Sequence, residues 1–475
     1  MNRDQENKGV EPESPNPEEG TAALDAQLNE AVEYHRAGHL AEAEEIYRRI
    51  LAVDPDYPYA LCLLGNIAQA AGEYDQAADL ISKAISVKPD YADAYCNLGA
   101  VLMKQSHFEK ALACFENAIA LAPENVEAHS NKGVSLRWLN RPKDAIDSYR
   151  QAIALRPDYA EAHHNLSYTL LALGQKSEGL DEYEWRWRSP FFNYTMREYA
   201  RPMWDGSTDL SDKNLLVWPE QGPGDLTIWA SGIPEIISRT GHCIIETAPK
   251  LVSLFARSFP RADVRPENET PDLNATDFDV HLPLGSLFRH LQQDPAAPCD
   301  AYLVPDPDRV AFWKQRLASL GPGPYVGISW KSPLIKPDRT PNYTQIDDWA
   351  PLFALPAQFI NLECSDSGKD LARAREHLGT TVHDFEDLDL FDGLDDVAAL
   401  TAALDVVISV STAVAPIAAG AGTPVWLIAW RQSPWSNFLL AARGPEVTWF
   451  ERNSNESWDA VFAALAERLR GLAEK

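Results

Sequence analysis

The chain is poor in basic residues, with 42 Lys and Arg against 70 Asp and Glu and a formal net charge of −28. Such an excess repels phosphate backbones and anionic lipid surfaces, and no block of lysines and arginines forms a local exception, which argues against nucleic-acid binding. The acidity serves solubility first. Cysteine is scarce, six residues with no Cys-x-x-Cys pair, so neither a metal cluster nor a disulfide framework is indicated. Cys62 and Cys96 instead stand 34 residues apart in equivalent slots, where a small apolar side chain fits. The stretch from Met1 to Glu6 has no apolar character of a leader, and no window approaches a membrane span. The expectation is a cytoplasmic protein without a membrane segment.

What is present is periodic. Pro55, Pro89, Pro123 and Pro157 stand at a constant step of 34, and Gly65, Gly99 and Gly133 keep it. The pairs Ala43/Tyr47, Ala77/Ile81, Ala111/Phe115 and Ala145/Tyr149 share the register. A small residue where two helices approach, a large one in the next groove and a closing proline describe a helix-turn-helix of tetratricopeptide type. One such pair cannot bury its apolar face alone, so units stack into a superhelix with an extended concave surface suited to a protein partner. The prolines place repeats at roughly 24–57, 58–91, 92–125 and 126–159. A fifth unit from Ala160 carries Gly179 in place of the packing alanine and lacks the closing proline, and it reads as a cap. His163 and His164 in this cap have no partner ligand at helical spacing, so a groove-facing or solvated place suits them better than metal binding.

The first 20 residues are polar and are expected to be disordered, with the repeats and their cap over 21–190. Past Trp185 and Trp187, whose spacing suits a domain seam, the period changes. Short β-branched runs at 215–218, 243–246, 280–282, 326–330, 359–362, 406–410 and 425–428 alternate with amphipathic helices, the pattern of parallel sheets with crossover helices. A proline-rich segment at 295–307 divides this region. The fold class expected is α followed by α/β: a repeat superhelix, then two Rossmann-like halves over 191–302 and 303–475, the first sheet beginning near residue 210. A packing helix closes the chain from 454 or 455, with Glu456 as its cap.

Ligands of open α/β sheets bind beyond the carboxyl ends of strands, which directs attention to three loops. After 215–218 comes Pro219-Glu220-Gln221-Gly222-Pro223-Gly224-Asp225. Gly222 and Gly224 allow a tight turn and a close ligand, and Asp225 taken alone suits a helix cap. Lys331 and Ser332 follow 326–330, where a lysine can meet a phosphate, although surface lysines are common. Ser411, Thr412 and Ala413 follow 406–410 and lead into a helix of small residues. Hydroxyls and amides there suit an anion or a plain cap about equally.

Taken together, the repeat array, Glu184-Trp185-Arg186-Trp187-Arg188, Trp204-Asp205-Gly206, the 219–225 loop, Gly327-Ile328-Ser329-Trp330-Lys331 and the run from Ile408 to Ala415 resemble bacterial repeat proteins whose C-terminal half is similar to heptosyltransferase-type glycosyltransferases of the GT-B fold. Asn342-Tyr343-Thr344 and the run from Asp395 to Leu400 are most similar to the branch associated with flagellin glycosylation. The resemblance covers the chain from about residue 24 onward. It implies that Asp225 is the general base on an acceptor hydroxyl, with Glu220 in reserve. It also implies that Lys331, Ser411, Thr412 and Ala413 hold the phosphates of a nucleotide sugar as co-substrate; Gly222, Gly224, Ser332 and Glu363 are expected to complete the donor site, with no metal and no resident cofactor.

Two departures stand out: Ser411-Thr412 replaces the family's Asp-Thr, and Pro416 stands where a histidine is usual one turn later. Three functions are compatible with this reading. The first is transfer of a sugar to a Ser or Thr hydroxyl of a protein, flagellin among the candidates, presented by the repeat groove. The second is a non-catalytic scaffold on a degenerate enzyme fold, and the third is transfer to a glycan acceptor. Neither the sugar nor the nucleotide is specified.

Overall fold

The computed structural model describes residues 17–190, 192–268, 270–291, 299–333, 342–430, 444, 446–453 and 456–474. By compactness the chain divides into two units, Met1–Leu136 and Arg137–Lys475.

The first unit is helical. Helices α1 (Pro17–Arg36), α2 (Leu40–Val53), α3 (Pro58–Ala70), α4 (Tyr74–Val87), α5 (Ala92–Lys104) and α6 (Phe108–Leu121) pair in sequence, and α7 (Val126–Trp138) contains the division. The helix starts four residues before the expected boundary at 20/21, with Pro17 at the first helical position, where its missing N–H costs nothing. Residues 1–16 lie outside the described residues.

Each periodic proline follows a helix end by two residues and pushes the residue before it out of the helical region. Asp54, Lys88 and Ala122 have φ of −127°, −128° and −136°. The glycines fit tight helix crossings: a methyl on Gly65 would meet Ile81 Cγ1 at 2.6 Å, and one on Gly99 would meet Phe115 Cε1 at 2.6 Å. A second 34-residue period, which the prolines obscure, sits in the turns. Gly38, Gly72 and Ser106 all adopt positive φ, as do Asn140 and Gly174 further on.

The second unit opens with α8 (Pro142–Leu155), α9 (Ala160–Ala172), α10 (Lys176–Tyr183) and a 3-10 turn at Glu184–Arg188. It continues with two all-parallel sheets. The first contains β1 (Asn214–Trp218), β2 (His242–Thr247), β3 (Ala262–Pro266) and β4 (Val280–Pro283) in the order β3-β2-β1-β4, with helices α11 (Pro223–Ala230), α12 (Ile233–Arg239) and α13 (Val252–Ser258). After α14 (Pro307–Ala318) the second sheet is built from β5 (Tyr325–Ser329), β6 (Gln358–Asn361), β7 (Val382–His383), β8 (Val406–Ser409), β9 (Val425–Trp430) and β10 (Val447–Arg452). Its helices are α15 (Ala350–Phe353), α16 (Gly368–His377), α17 (Leu394–Thr401), α18 (Val414–Gly420) and α19 (Asp459–Ala473).

The order β10-β9-β8-β5-β6-β7 winds outward from β5 in both directions, the doubly wound arrangement, with its switch point between β5 and β8. In the first sheet the corresponding point lies between β1 and β4.

The central strands are buried throughout, as in the apolar runs of β8 and β9. One continuous core joins Leu215, Val217 and Phe255 of the first sheet layer to Val397, Val414 and Leu427 of the second. Tyr168, Leu171, Leu180 and Tyr183 from α9 and α10 belong to that same core. For this reason the compact division falls at 136/137, while the architecture changes near 190. The last helix begins at Asp459, later than expected, because Glu456 turns back to accept from the backbone N–H of Asn453 at 2.8 Å.

Candidate functional site

Four of the expected site residues share one geometric rule. Glu220, Lys331, Glu363 and Ser411 each stand two residues beyond the end of β1, β5, β6 and β8. The last three therefore gather around the switch point of the second sheet.

Glu363 is buried, and both of its oxygens are engaged. Oε2 accepts from the Lys331 backbone N–H at 3.0 Å and from Ser329 Oγ at 3.3 Å, and Oε1 accepts from the Ser365 N–H and hydroxyl. Burial pushes its carboxyl above the usual range, and these hydrogen bonds pull it back. It braces the ends of β5 and β6. The hydroxyl chain continues from Ser329 to Thr412 (3.4 Å) and from Thr412 to Ser409 (3.1 Å), so Glu363 and Thr412 are linked across the crevice floor.

Lys331 turns away from the crevice. Its ammonium donates to Asp370 Oδ2 at 2.6 Å and to the Asp366 carbonyl at 3.3 Å, while Trp330 Nε1 holds the same Asp370 oxygen at 2.9 Å. Asp370 had no signal in the sequence. Ser332 and Ser411 are half-buried. Helix α18 has only seven residues, with Pro416 in its first turn.

The 219–225 loop comes from the other sheet and reaches the same place. Gly222, with extended backbone, is the cap of α11, so Asp225 is not the cap; it lies in the first turn, half-buried, where a carboxylate is favoured by the helix dipole. Gly224 faces the second sheet's loop directly: a methyl there would lie 3.2 Å from Ala413 Cα and 3.5 Å from its Cβ. Its lack of a side chain serves this backbone approach of the two loops. Gln221 adopts φ of +73°, uncommon for a residue with a side chain. Its amide nitrogen donates to Tyr183 Oη at 3.0 Å and its oxygen accepts from Trp229 Nε1 at 3.4 Å.

Glu220 has the opposite surroundings to those a reserve base needs. It is 1% exposed and sealed in the first sheet's switch crevice, where Arg186 Nη2 donates to its Oε2 at 2.9 Å and to Ser286 Oγ at 2.8 Å. Arg186 Nη1 also donates to Glu184 Oε1 at 2.9 Å and to the Tyr183 carbonyl at 3.1 Å. Burial raises the Glu220 carboxyl and the guanidinium draws it back down. Here a turn at the end of the repeats plugs the crevice that a ligand would otherwise occupy. The clue in the sequence was an arginine flanked by two tryptophans.

Around this plug Trp187 packs on Trp218, and Trp185 stacks on His163 with centroids 3.9 Å apart. His163 is buried, held by Glu182 and the Pro157 carbonyl, neither groove-facing nor solvated. Beside Trp218 and Pro219 a cavity of about 620 Å³ opens at the ends of β1 and β3, lined also by Tyr194, Arg197, Glu267 and Asn268. Among the described residues no group of three or more His, Cys, Asp or Glu is placed to hold a metal ion, and no helix is long and apolar enough to cross a membrane.

Two tetratricopeptide repeat models match, one at residues 24–57 and the other at 92–125, and a TPR repeat model matches 69–106 and 139–174. The helical region is thus a tetratricopeptide repeat array. A curated relative, Protein FlbA of Caulobacter vibrioides, is 32% identical over 296 residues, 57% of this chain and 48% of its own length. The chain therefore spans about half of that relative. Among solved structures, MamA is similar at 21% identity and TM-score 0.30, over 33% of this chain and 91% of its own. Pseudomonas aeruginosa pilF is similar at 21% identity and TM-score 0.34, over 35% and 76%. The TPR protein YrrB is similar at 22% identity and TM-score 0.30, over 35% and 89%.

Proposed function

We propose that this chain is a metal-independent glycosyltransferase that moves a sugar from a nucleotide-activated donor to a Ser or Thr hydroxyl of a protein recruited by the repeats. The observation that carries this reading is the approach of Gly224 to Ala413, which sets the loop bearing Asp225 against the loop at the β5/β8 switch point. A base from one sheet and a phosphate-binding crevice from the other then bracket a single space. Asp225 takes the proton of the attacking hydroxyl, and the polar crevice of Thr412 and Lys331 receives the departing diphosphate. Lys331 must exchange Asp370 for phosphate to do so. The tetratricopeptide array supports a protein acceptor, and the resemblance makes a flagellin-type protein the first to test.

A specific observation favours a scaffold as the second reading. The crevice holds Ser411 and Pro416 in place of the family's acidic and imidazole groups, and its lysine is already neutralised at 2.6 Å. A thermal-shift panel of nucleotides and nucleotide sugars separates the two. A ligand at a hundred times its dissociation constant adds about 2.7 kcal/mol, and silence across the panel selects the scaffold.

A further inference from the structure

The two faces of the first sheet are covered differently. Side chains alternate along β1: Leu215 and Val217 enter the core shared with the second sheet, whereas Leu216 and Trp218 pack with Trp187, Met196 and Tyr199. A crossover helix normally shields such a face of a parallel sheet. Here the described residues between β3 and β4 form none, and the irregular segment that carries Met196 and Tyr199 lies on the face instead. The space left over is the cavity of about 620 Å³ beside Trp218 and Pro219, a size suited to a ligand.

The charges around this space do not balance. Arg197 donates to Glu246 Oε2 at 2.6 Å, and Arg265 donates to Glu246 Oε1 at 3.0 Å and to Asp277 Oδ2 at 2.5 Å. Glu267, which lines the cavity, stands 3.6 Å from Arg197 Nη2, beyond hydrogen-bond reach, and among the described residues no group donates to it. Glu198, exposed on the same lining, likewise has no cation among the described residues. Tyr194 adds an aromatic ring that is 43% exposed. Burial, then the negative charges of Asp225, Glu267 and Glu220, push its phenol up, so the ring stands within electrostatic reach of Asp225. Pro219 makes the same link along the chain, since it lines the cavity and opens the loop that ends in Asp225.

We propose that the cavity is a specificity pocket for an arginine side chain of a polypeptide whose Ser or Thr hydroxyl lies at Asp225. The role in transfer rests on the glycosyl-transfer reading; the capture of an arginine-bearing peptide does not. A guanidinium offers a planar fork to Glu267 and a face to Tyr194. Arg197 already shows this fit in the same wall, forked to Glu246 and lying over the Trp218 ring at 5.0 Å. An extended chain advances about 3.3 Å per residue, so an arginine a few residues from the hydroxyl reaches from the loop to the cavity. A sugar offers these carboxylates hydroxyls but no charge.

The test is isothermal titration of the full chain with the blocked peptide Gly-Thr-Ser-Arg-Ser-Thr-Gly and its counterpart with glutamine for arginine, for wild type and Glu267→Gln. The arginine peptide binds wild type on the order of ten-fold more tightly than the glutamine peptide, and Glu267→Gln removes most of that preference. Salt weakens the arginine peptide and leaves the other unchanged. The melting temperature of Glu267→Gln stays that of wild type, because the Glu267 side chain is 38% exposed and accepts no hydrogen bond from the described residues, so a lost preference is not unfolding. No binding by wild type, or equal binding of the two peptides, overturns the proposal. So does a preference that survives in Glu267→Gln, which assigns the arginine to another surface, and so does tighter binding of maltotriose, which assigns the cavity to a glycan. An arginine preference that depends on Glu267 without any sugar transfer retains the pocket and removes the enzyme reading alone.

Discussion

Arg186 and Glu220 form an ion pair in which neither side chain is exposed, with Nη2 and Oε2 2.9 Å apart. The pair ties the turn after α10 to the end of β1, directly beside the loop that carries Asp225. Arg186→Met leaves the Glu220 carboxylate buried without its cation and is expected to cost about 3–5 kcal/mol. The double variant Arg186→Met/Glu220→Gln regains part of this. Urea denaturation of the three chains measures it, and equal stability of the two variants contradicts the pairing.

The same contact decides where the protein can be cut. Tyr168, Leu171, Leu180 and Tyr183 lie in the core shared with the first sheet, so a chain that starts at residue 191 exposes that core and does not fold cooperatively. A chain that starts at Val126 retains α7 to α10 and melts as one cooperative unit. Calorimetry on the two truncations distinguishes them. A test of whether the repeats bind a protein therefore removes helices before α7 and leaves the later ones in place.

Two buried histidines give the second unit an acid limit. His164 is held at about 4, first by burial and then by the charges of Arg186 and Arg137, and His281 is held at about 4 by burial. Trp218 Nε1 donates to His281 Nδ1 at 3.1 Å, which requires an unprotonated nitrogen there. Both folded values lie below 6.5, so between pH 6.5 and 4 the unfolded chain takes up protons that the native chain refuses. Stability is fully present above 6.5 and falls as the pH drops toward 4, by up to about 3 kcal/mol for His164. Denaturation at pH 7 and pH 4.5, with His164→Gln showing the smaller difference, checks the sign.

In the first unit two substitutions of similar size act in opposite directions. Gly99→Ala places a methyl 2.6 Å from Phe115 Cε1 and costs about 1–3 kcal/mol. Ser106→Gly relieves a positive φ of 61° and stabilises by about 0.5–1 kcal/mol. Chemical denaturation of both against wild type decides, and a stabilising Gly99→Ala contradicts the crossing geometry.

Legibility in the sequence followed burial. The seven strands expected from β-branched runs are present within a residue or two, whereas β3, β7 and β10 were missed. All three are sheet edges: β3 carries Asp263 and Arg265, β7 is only two residues long, and β10 is half-buried, its run from Val447 to Phe450 ending in Glu451 and Arg452. The proline period was legible because each proline acts locally, while the positive-φ turn period was hidden by Ser106 and Asn140, which tolerate the same conformation less conspicuously than glycine. At the site, positions two beyond each strand end could be named. Their partners could not: Asp370 for Lys331 and Arg186 for Glu220 are 39 and 34 residues away in sequence, and only the winding of the sheets brings them together.

The central claim is that Asp225, set against the Ser411–Ala413 loop, deprotonates an acceptor hydroxyl. The direct measurement is sugar transfer to an acceptor protein, with the nucleotide sugar found by thermal shift, comparing wild type with Asp225→Asn at matched occupancy of donor. Turnover is expected to fall by roughly 10²–10⁴ while donor affinity and melting temperature stay unchanged. Turnover equal to wild type in Asp225→Asn contradicts the account.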